Sequence, residues 1–154
     1  MLLFGETNIF SPQDIRQILK KAADALKPNG KLLLEPHTDR LVREIGESGT
    51  SWYTSEGGLF GEQPHLVLTE NFWDEESHTA TVRHFVMDAE SGDAECPTIT
   101  PHAQSFQAYS DADYVSLLQE CGFEHIQIWP NLGDIDKFTG QLLAITAEKA
   151  TVDR

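Results

Sequence analysis

The sequence predicts an α/β fold, and three observations carry that prediction. Met1 to Phe4 and Lys31 to Leu34 are short apolar runs without polar alternation, as in strands covered on both faces of a parallel sheet. A helix punctuated at both ends separates them, so the opening reads as strand, crossover helix and parallel strand. Residues 66 to 73 and 79 to 88 then read as an antiparallel pair.

The first helix starts at Ser11, an N-cap followed by Pro12 at the first helical position and by Asp14 three residues after the cap. Ile15, Ile18, Leu19, Ala22, Ala23 and Leu26 form one apolar stripe. Lys27 suits the negative helix end, and Pro28-Asn29-Gly30 stops it. Leu41, Val42 and Ile45 predict a second helix over 38 to 46, broken by Gly46 and Gly49. Ser51 to Pro64, rich in glycine and aromatic residues, reads as a loop folding over something apolar, or as a loop pinned to the core by its rings.

In the antiparallel pair, Leu66, Leu68, Glu70 and Phe72 share one face of the first strand. Ala80, Val82, His84 and Val86 oppose Arg83, Phe85 and Met87 on the second. A third strand is expected over Ala103 to Tyr109, after a loop from Asp88 to Pro101. Ser110 with Asp113 opens a helix that carries Tyr114, Val115, Leu117, Leu118 and Cys121 inward and ends at Gly122. Phe123 to Trp129 and Gln141 to Glu148 close the chain as two strands.

Composition bounds the function. The 154 residues suit one domain, and 40% hydrophobic content suffices for a core. A net charge of -14 disfavours nucleic acid and anionic membranes as partners, although acidity also serves solubility alone. No apolar stretch approaches the ~20 residues of a membrane span and no basic signal segment opens the chain, so a cytoplasmic location is expected. Cys96 and Cys121 lie far apart and outside any C-x-x-C pattern, and Cys121 reads as a buried thiol. The histidines His37, His65, His78, His84, His102 and His125 form no H-x-x-x-H or H-E-x-x-H pattern, although His78 and His84 could share one side of a strand. The acidic residues Asp88, Glu90, Asp93 and Glu95 lack the spacing of a calcium loop. No metal site is expected, and no G-x-S-x-G elbow supports a hydrolase.

The segment A-L-K-P-N-G-K-L-L-L-E resembles the helix, turn and fifth strand of class I S-adenosylmethionine-dependent methyltransferases. Q-A-Y-S-D-A-D-Y-V-S-L-L-Q-E-C-G-F-E-H-I-Q-I-W resembles their last helix and sixth strand. Between them S-W-Y-T, G-L-F, P-H-L-V-L-T-E-N-F-W-D-E-E and T-V-R-H-F-V-M-D resemble the inserted region of a bacterial small-molecule subgroup. The resemblance spans nearly the whole chain and implies a partial Rossmann-like sheet, the equivalents of strands four to seven, with an antiparallel β insertion. It divides one partial domain, 1–154, into a strand-helix-strand-helix core (1–50), a loop and antiparallel insertion (51–109), and a C-terminal helix and strand pair (110–154). The final strand is then expected beside the fifth.

The first three strands of that family, with their glycine-rich turn and acidic residue, have no counterpart here, and the glycines form no G-x-G-x-x-G pattern. The chain therefore reads as starting in mid-fold, on the substrate side of the domain, and as unable to bind S-adenosylmethionine alone. Open α/β sheets bind ligands beyond the carboxyl ends of their strands. By resemblance Gly5, Glu6, Thr7 and Asn8 line that crevice, with Gly5, Glu6 and Asn8 as cofactor contacts. Glu6 is the first choice, touching the cofactor's amino acid portion or the acceptor, against the alternative of a solvated carboxylate. Glu35, Pro36 and His37 end the next strand on the same rim, where His37 is either a catalytic base or a locally bonded rim histidine. Trp52, Tyr53, Phe60, His65, Trp73, Arg83 and Tyr109 are candidate pocket wall or structural residues.

The implied function is methyl transfer to a small molecule, with Glu6 and His37 as catalytic candidates. Two alternatives stand beside it: a subunit of a split methyltransferase, and a non-catalytic ligand-binding or interaction module. An uncovered edge at Met1 to Phe4 would favour self-association or pairing with a separate N-terminal half.

Overall fold

The computed structural model describes residues 1–88, 98–132 and 140–151. Cys96, most of the acidic loop after Asp88, and the start of the chain leading into the last strand lie outside the described residues. Among the described residues, a 3-10 turn, Glu6–Ile9, is followed by α1 (Pro12–Ala25), β1 (Lys31–Leu34), α2 (Asp39–Glu47), β2 (Thr50–Ser55), β3 (His65–Asp74), β4 (Thr79–Asp88), β5 (Ile99–Gln107), α3 (Asp111–Glu120), β6 (Phe123–Trp129) and β7 (Ala144–Lys149). They fall into two units: Met1–Arg43 with Phe106–Arg154, and Glu44–Ser105.

The first unit is built on a sheet of order β1-β7-β6, with β7 antiparallel to both neighbours. The last strand thus lies between the equivalents of strands five and six, as the resemblance implied. Leu2 extends the sheet on the other side of β1 through a parallel bridge to Leu34. Its N–H donates to the Leu33 carbonyl at 3.2 Å, and its carbonyl accepts from the Glu35 N–H at 2.8 Å. The expected strand Met1 to Phe4 therefore shortens to one bridge. Phe4 (φ 53) and Gly5 (φ 76) both turn into the left-handed region and end the extended chain.

Lys31–Leu34 also corrects the expectation of a strand covered throughout. Leu32 and Leu34 are buried, Leu33 is half-buried and Lys31 is exposed. Lys31 instead meets Glu148 of β7 at 2.9 Å. The core lies against the alternate face: Ile15, Leu19 and Ala23 of α1, Tyr114, Leu117 and Leu118 of α3, Leu32, Leu34, Phe123, Ile145 and Ala147. Both helices begin as their sequences dictate. The Ser11 hydroxyl accepts from the Asp14 N–H at 3.1 Å. Ser110 and Asp113 form a reciprocal capping box, Asp113 N–H to Ser110 Oγ at 3.2 Å and Ser110 N–H to Asp113 Oδ2 at 2.9 Å. Cys121, next after α3, is buried and its thiol's pKa is raised by burial.

The second unit is a sheet of order β2-β3-β4-β5. β3 and β4 pair antiparallel from His65↔Asp88 to Asp74↔Thr79, close to the expected bounds. Three expectations change here. The first half of the glycine- and aromatic-rich passage is a strand, β2, paired with β3 from Thr50↔Glu70 to Ser55↔His65. Its Thr, Trp and Tyr residues favour a pleated surface, and the glycines begin only at Gly57. The third expected strand runs earlier, Ile99–Gln107. His78 sits in the turn between β3 and β4 with φ 51, its ring edge-on to Trp73 at 6.0 Å, so it shares no strand face with His84.

The buried face of β3 carries His65, Val67 and Thr69, not Leu66, Leu68 and Phe72. The register explains the choice, because Val67 faces Val86 and Thr69 faces His84 on the covered side of β4. On the opposite face Arg83 pairs with Glu70 at 3.8 Å and lies 4.3 Å over the Phe72 ring.

Candidate functional site

The first unit concentrates polar groups at the carboxyl ends of Met1–Phe4 and β1. Glu35, directly after β1, is buried, and its Oε2 accepts from the Phe4 N–H at 3.0 Å. Its carbonyl accepts from the Gly5 N–H at 2.8 Å. The chain then turns through Glu6–Ile9, where Thr7 and Asn8 are fully buried while Glu6 and Ile9 face outward. The Asn8 amide is the centre of the rim. Its Oδ1 accepts from the His37 N–H at 2.8 Å, and its Nδ2 donates to the Gln107 carbonyl at 2.8 Å and the Tyr114 hydroxyl at 3.2 Å.

His37 is half-buried, with its ring against Gly5 and edge-on to Phe106 at 6.1 Å. Desolvation lowers its pKa below the ordinary 6.5, and the Gln141 backbone offsets part of that. Tyr109 tilts against Tyr114 at 5.2 Å. Burial raises the pKa of both phenols, most strongly for Tyr114, so both are neutral donors at physiological pH.

Among the described residues, three buried side-chain atoms here lack a well-formed hydrogen bond: Thr7 Oγ1, Tyr109 OH and His37 Nδ1, the imidazole of the last having only the Gln141 backbone near it. Each such group costs about 1–3 kcal/mol when nothing satisfies it. All three are tied to Asn8: Thr7 by the chain, His37 through its N–H, and Tyr109 through the ring of Tyr114. A rim with unspent acceptors and a neutral donor is equipped to bind a small polar molecule and to take a proton from it.

Of the residues singled out in the sequence, the structure brings Gly5, Asn8, His37 and Tyr109 into this one neighbourhood. Glu6 is exposed beside them. Trp52, Tyr53, Phe60, His65, Trp73 and Arg83 belong to the second unit. There Phe60 packs against the rings of His65, His84 and His102 at 6.4, 5.2 and 5.1 Å. Trp52 is 70% exposed, and Arg83 is occupied by Glu70 and Phe72. An open groove of about 530 Å³ runs beside His65, lined also by Thr54, Glu56, Leu66 and Met87. Among the described residues, no group of three or more His, Cys, Asp or Glu side chains could hold a metal ion. Among the described residues, no helix is long and apolar enough to cross a membrane.

Sequence reasoning placed Tyr114 on the inward helix face and missed its hydroxyl's bond to Asn8, as it missed the Gln107 carbonyl and Phe106. Gln107 and Tyr114 follow Asn8 by about a hundred residues, so no local spacing marks the contact. The available signal was slight, an asparagine in the polar Glu6-Thr7-Asn8 stretch that follows the apolar opening.

His37 and His84 also predict how stability depends on pH. Burial lowers the pKa of His37, and burial with the nearby charge of His102 lowers that of His84. The unfolded chain, with ordinary values near 6.5, binds more protons below that pH, so stability rises with pH there. The contribution is complete above 6.5 and is lost as pH falls through the lower folded values. Urea midpoints measured from pH 8 to 5 should be flat at first and then fall, and a midpoint that rises on acidification would contradict the assignment.

No protein-family model and no curated protein matches the chain. Solved structures do match. An S-adenosylmethionine-dependent methyltransferase from Clostridium acetobutylicum aligns with a TM-score of 0.63 at 12% identity, covering 97% of this chain and 56% of that one. The fold is that of a class I methyltransferase. The CcbJ methyltransferase from Streptomyces caelestis (TM-score 0.63, 14% identity, 97% and 55% covered) and the sugar N-methyltransferase KedS8 from Streptoalloteichus (TM-score 0.63, 14% identity, 97% and 54% covered) agree. The chain spans about half the length of these methyltransferases.

Proposed function

We propose that this chain forms the acceptor-side wall of a small-molecule methyltransferase, acting in the cytoplasm, with S-adenosylmethionine as the methyl donor. The observation that carries the proposal is the trio of buried atoms on Thr7, His37 and Tyr109 that lack a well-formed hydrogen bond, at the strand ends where open α/β sheets bind ligands. The methyltransferase neighbours, one of which is a sugar N-methyltransferase, support the reaction class. A hydroxyl or amine of the acceptor would donate to His37 Nδ1, which then takes its proton. The Tyr109 and Thr7 hydroxyls would fix the acceptor's orientation. Low His37 basicity keeps the imidazole unprotonated and ready at neutral pH.

The described residues do not fit the cofactor's nucleoside. They offer no G-x-G-x-x-G turn between strand and helix, and the space above Gly5 is filled by the His37 ring. No step is therefore assigned through the cofactor, and Glu6 is kept as the exposed rim residue able to reach a charged group of either ligand. We place the rest of the sheet on the side of Met1–Phe4 that faces away from β1, whether it belongs to the same polypeptide or to another. Phe4 is 70% exposed there, and without that cover the edge is open to a second copy of the chain.

The test joins this chain, by fusion or co-expression, to a strand-turn-helix half bearing the glycine-rich motif from its own upstream reading frame or a neighbouring gene. Transfer of labelled methyl to a panel of amino sugars and hydroxylated small molecules is the expected result. Cofactor binding by the joined protein with no methylated product from any acceptor would favour the non-catalytic module.

A further inference from the structure

We propose that Asn8 is a positioning residue that holds His37 in place, and not a ligand contact. The inference rests on His37 being the proton acceptor. Asn8 is buried like Thr7, but unlike Thr7 its side-chain oxygen and nitrogen are both engaged within the protein. Both of its N–H donors have partners, the Gln107 carbonyl and the Tyr114 hydroxyl, and its oxygen accepts from the His37 backbone. The reversed amide would set Nδ2 against the His37 N–H and Oδ1 against the Gln107 carbonyl, donor on donor and acceptor on acceptor. The network therefore fixes its orientation.

One buried amide thus joins three segments that are distant in sequence: the Glu6–Ile9 turn, the chain leaving β1, and the junction of β5 with α3. The consequence falls on His37. Its backbone is anchored by Asn8, and its ring is held between Gly5, where a Cβ would overlap the imidazole, and the edge of Phe106. Those constraints leave little freedom for the ring. Nδ1 is buried and receives no hydrogen bond from Asn8, whose donors go to Gln107 and Tyr114. An imidazole held in a partly dry setting is a base whose pKa depends on the clamp, so loosening the clamp should move the pKa.

The experiment is NMR on the intact chain, following amide exchange and the His37 imidazole titration. In Asn8→Ala the His37 amide should exchange about tenfold faster or more, as expected when a buried hydrogen bond is lost. The imidazole pKa should rise toward the ordinary 6.5. The Leu143 amide, which donates to the Pro36 carbonyl, should keep its protection. Tyr114→Phe removes one of the two acceptors and should move both readouts the same way by a smaller factor, which keeps the test open if the alanine variant fails to fold. A Tyr114→Phe protein with unchanged His37 exchange and titration would overturn the proposal. So would an Asn8→Ala protein that loses protection uniformly with the His37 titration unmoved, because Asn8 would then serve stability alone. If both NMR readouts move but His37→Gln leaves methyl transfer intact, the clamp stands and the catalytic reading fails.

Discussion

His37→Gln in the joined protein should lower the rate of methyl transfer about 10²- to 10⁴-fold, the range a positioned general base contributes. Glutamine keeps a polar side chain of similar reach but cannot accept and hold a proton near neutral pH. The loss should fall on kcat more than on KM, because Tyr109 and Thr7 still offer their hydroxyls to the acceptor. The wild-type rate should also persist to lower pH than an ordinary imidazole would allow. Burial lowers the pKa of His37, so the unprotonated base survives further acidification. A rate unchanged by the substitution, measured with saturating acceptor, would remove His37 from the chemistry.

The second large effect is expected at Gly5. Its φ of 76 lies where only glycine sits without cost, and a Cβ there would overlap Nε2, Cδ2 and Cε1 of His37. Gly5→Ala should cost about 1–2 kcal/mol for the backbone, and more for moving the imidazole out of its place. Gly49 makes the comparison clean. It has a similar φ of 74 but no atom within 4 Å of the added Cβ, so Gly49→Ala carries the backbone cost alone. Chemical denaturation should therefore separate the two variants, with Gly5→Ala the less stable and the only one to shift the His37 resonances. Equal stabilities with an unmoved His37 would contradict the packing described at Gly5.

Much of the fold was legible because its signals are local. Ser11 with Pro12 and Asp14, and Ser110 with Asp113, state where α1 and α3 begin, and the hydrogen bonds are those the residues dictate. The apolar period of each helix states which side is covered. Strand limits were less legible where one property obscured another. The aromatic rings of Trp52 and Tyr53 beside glycines read as a loop, yet those residues pair with Leu68 and Val67. The buried face of β3 ran against hydrophobicity, since Thr69 is covered and Leu68 is not. That choice is made by the partner strand, where Val86, His84 and Val82 already face inward, and a strand read alone holds no such information.

The candidate site divides the same way. Its expected place at the ends of Met1–Phe4 and β1 follows from a rule of open sheets together with the family resemblance, which put Gly5, Asn8 and His37 on one rim, and the structure brings those three together. The roles were harder to read. Asn8 was expected as a cofactor contact by resemblance, from its place just after the first strand. Its actual partners, Gln107 and Tyr114, come from β5 and α3, and only folding brings them to it. Tyr109 was one of seven pocket-wall candidates, and its buried hydroxyl without a well-formed hydrogen bond sets it apart. The candidates of the second unit lacked any such distinguishing geometry.

In the function proposed above, this chain carries the acceptor's wall of a methyltransferase crevice and not the cofactor's nucleoside cradle. Calorimetric titration of the chain alone with S-adenosylhomocysteine tests it most directly. No measurable heat of binding is expected at micromolar concentrations, with binding recovered when the glycine-rich half is joined. Tight binding by this chain alone would contradict it.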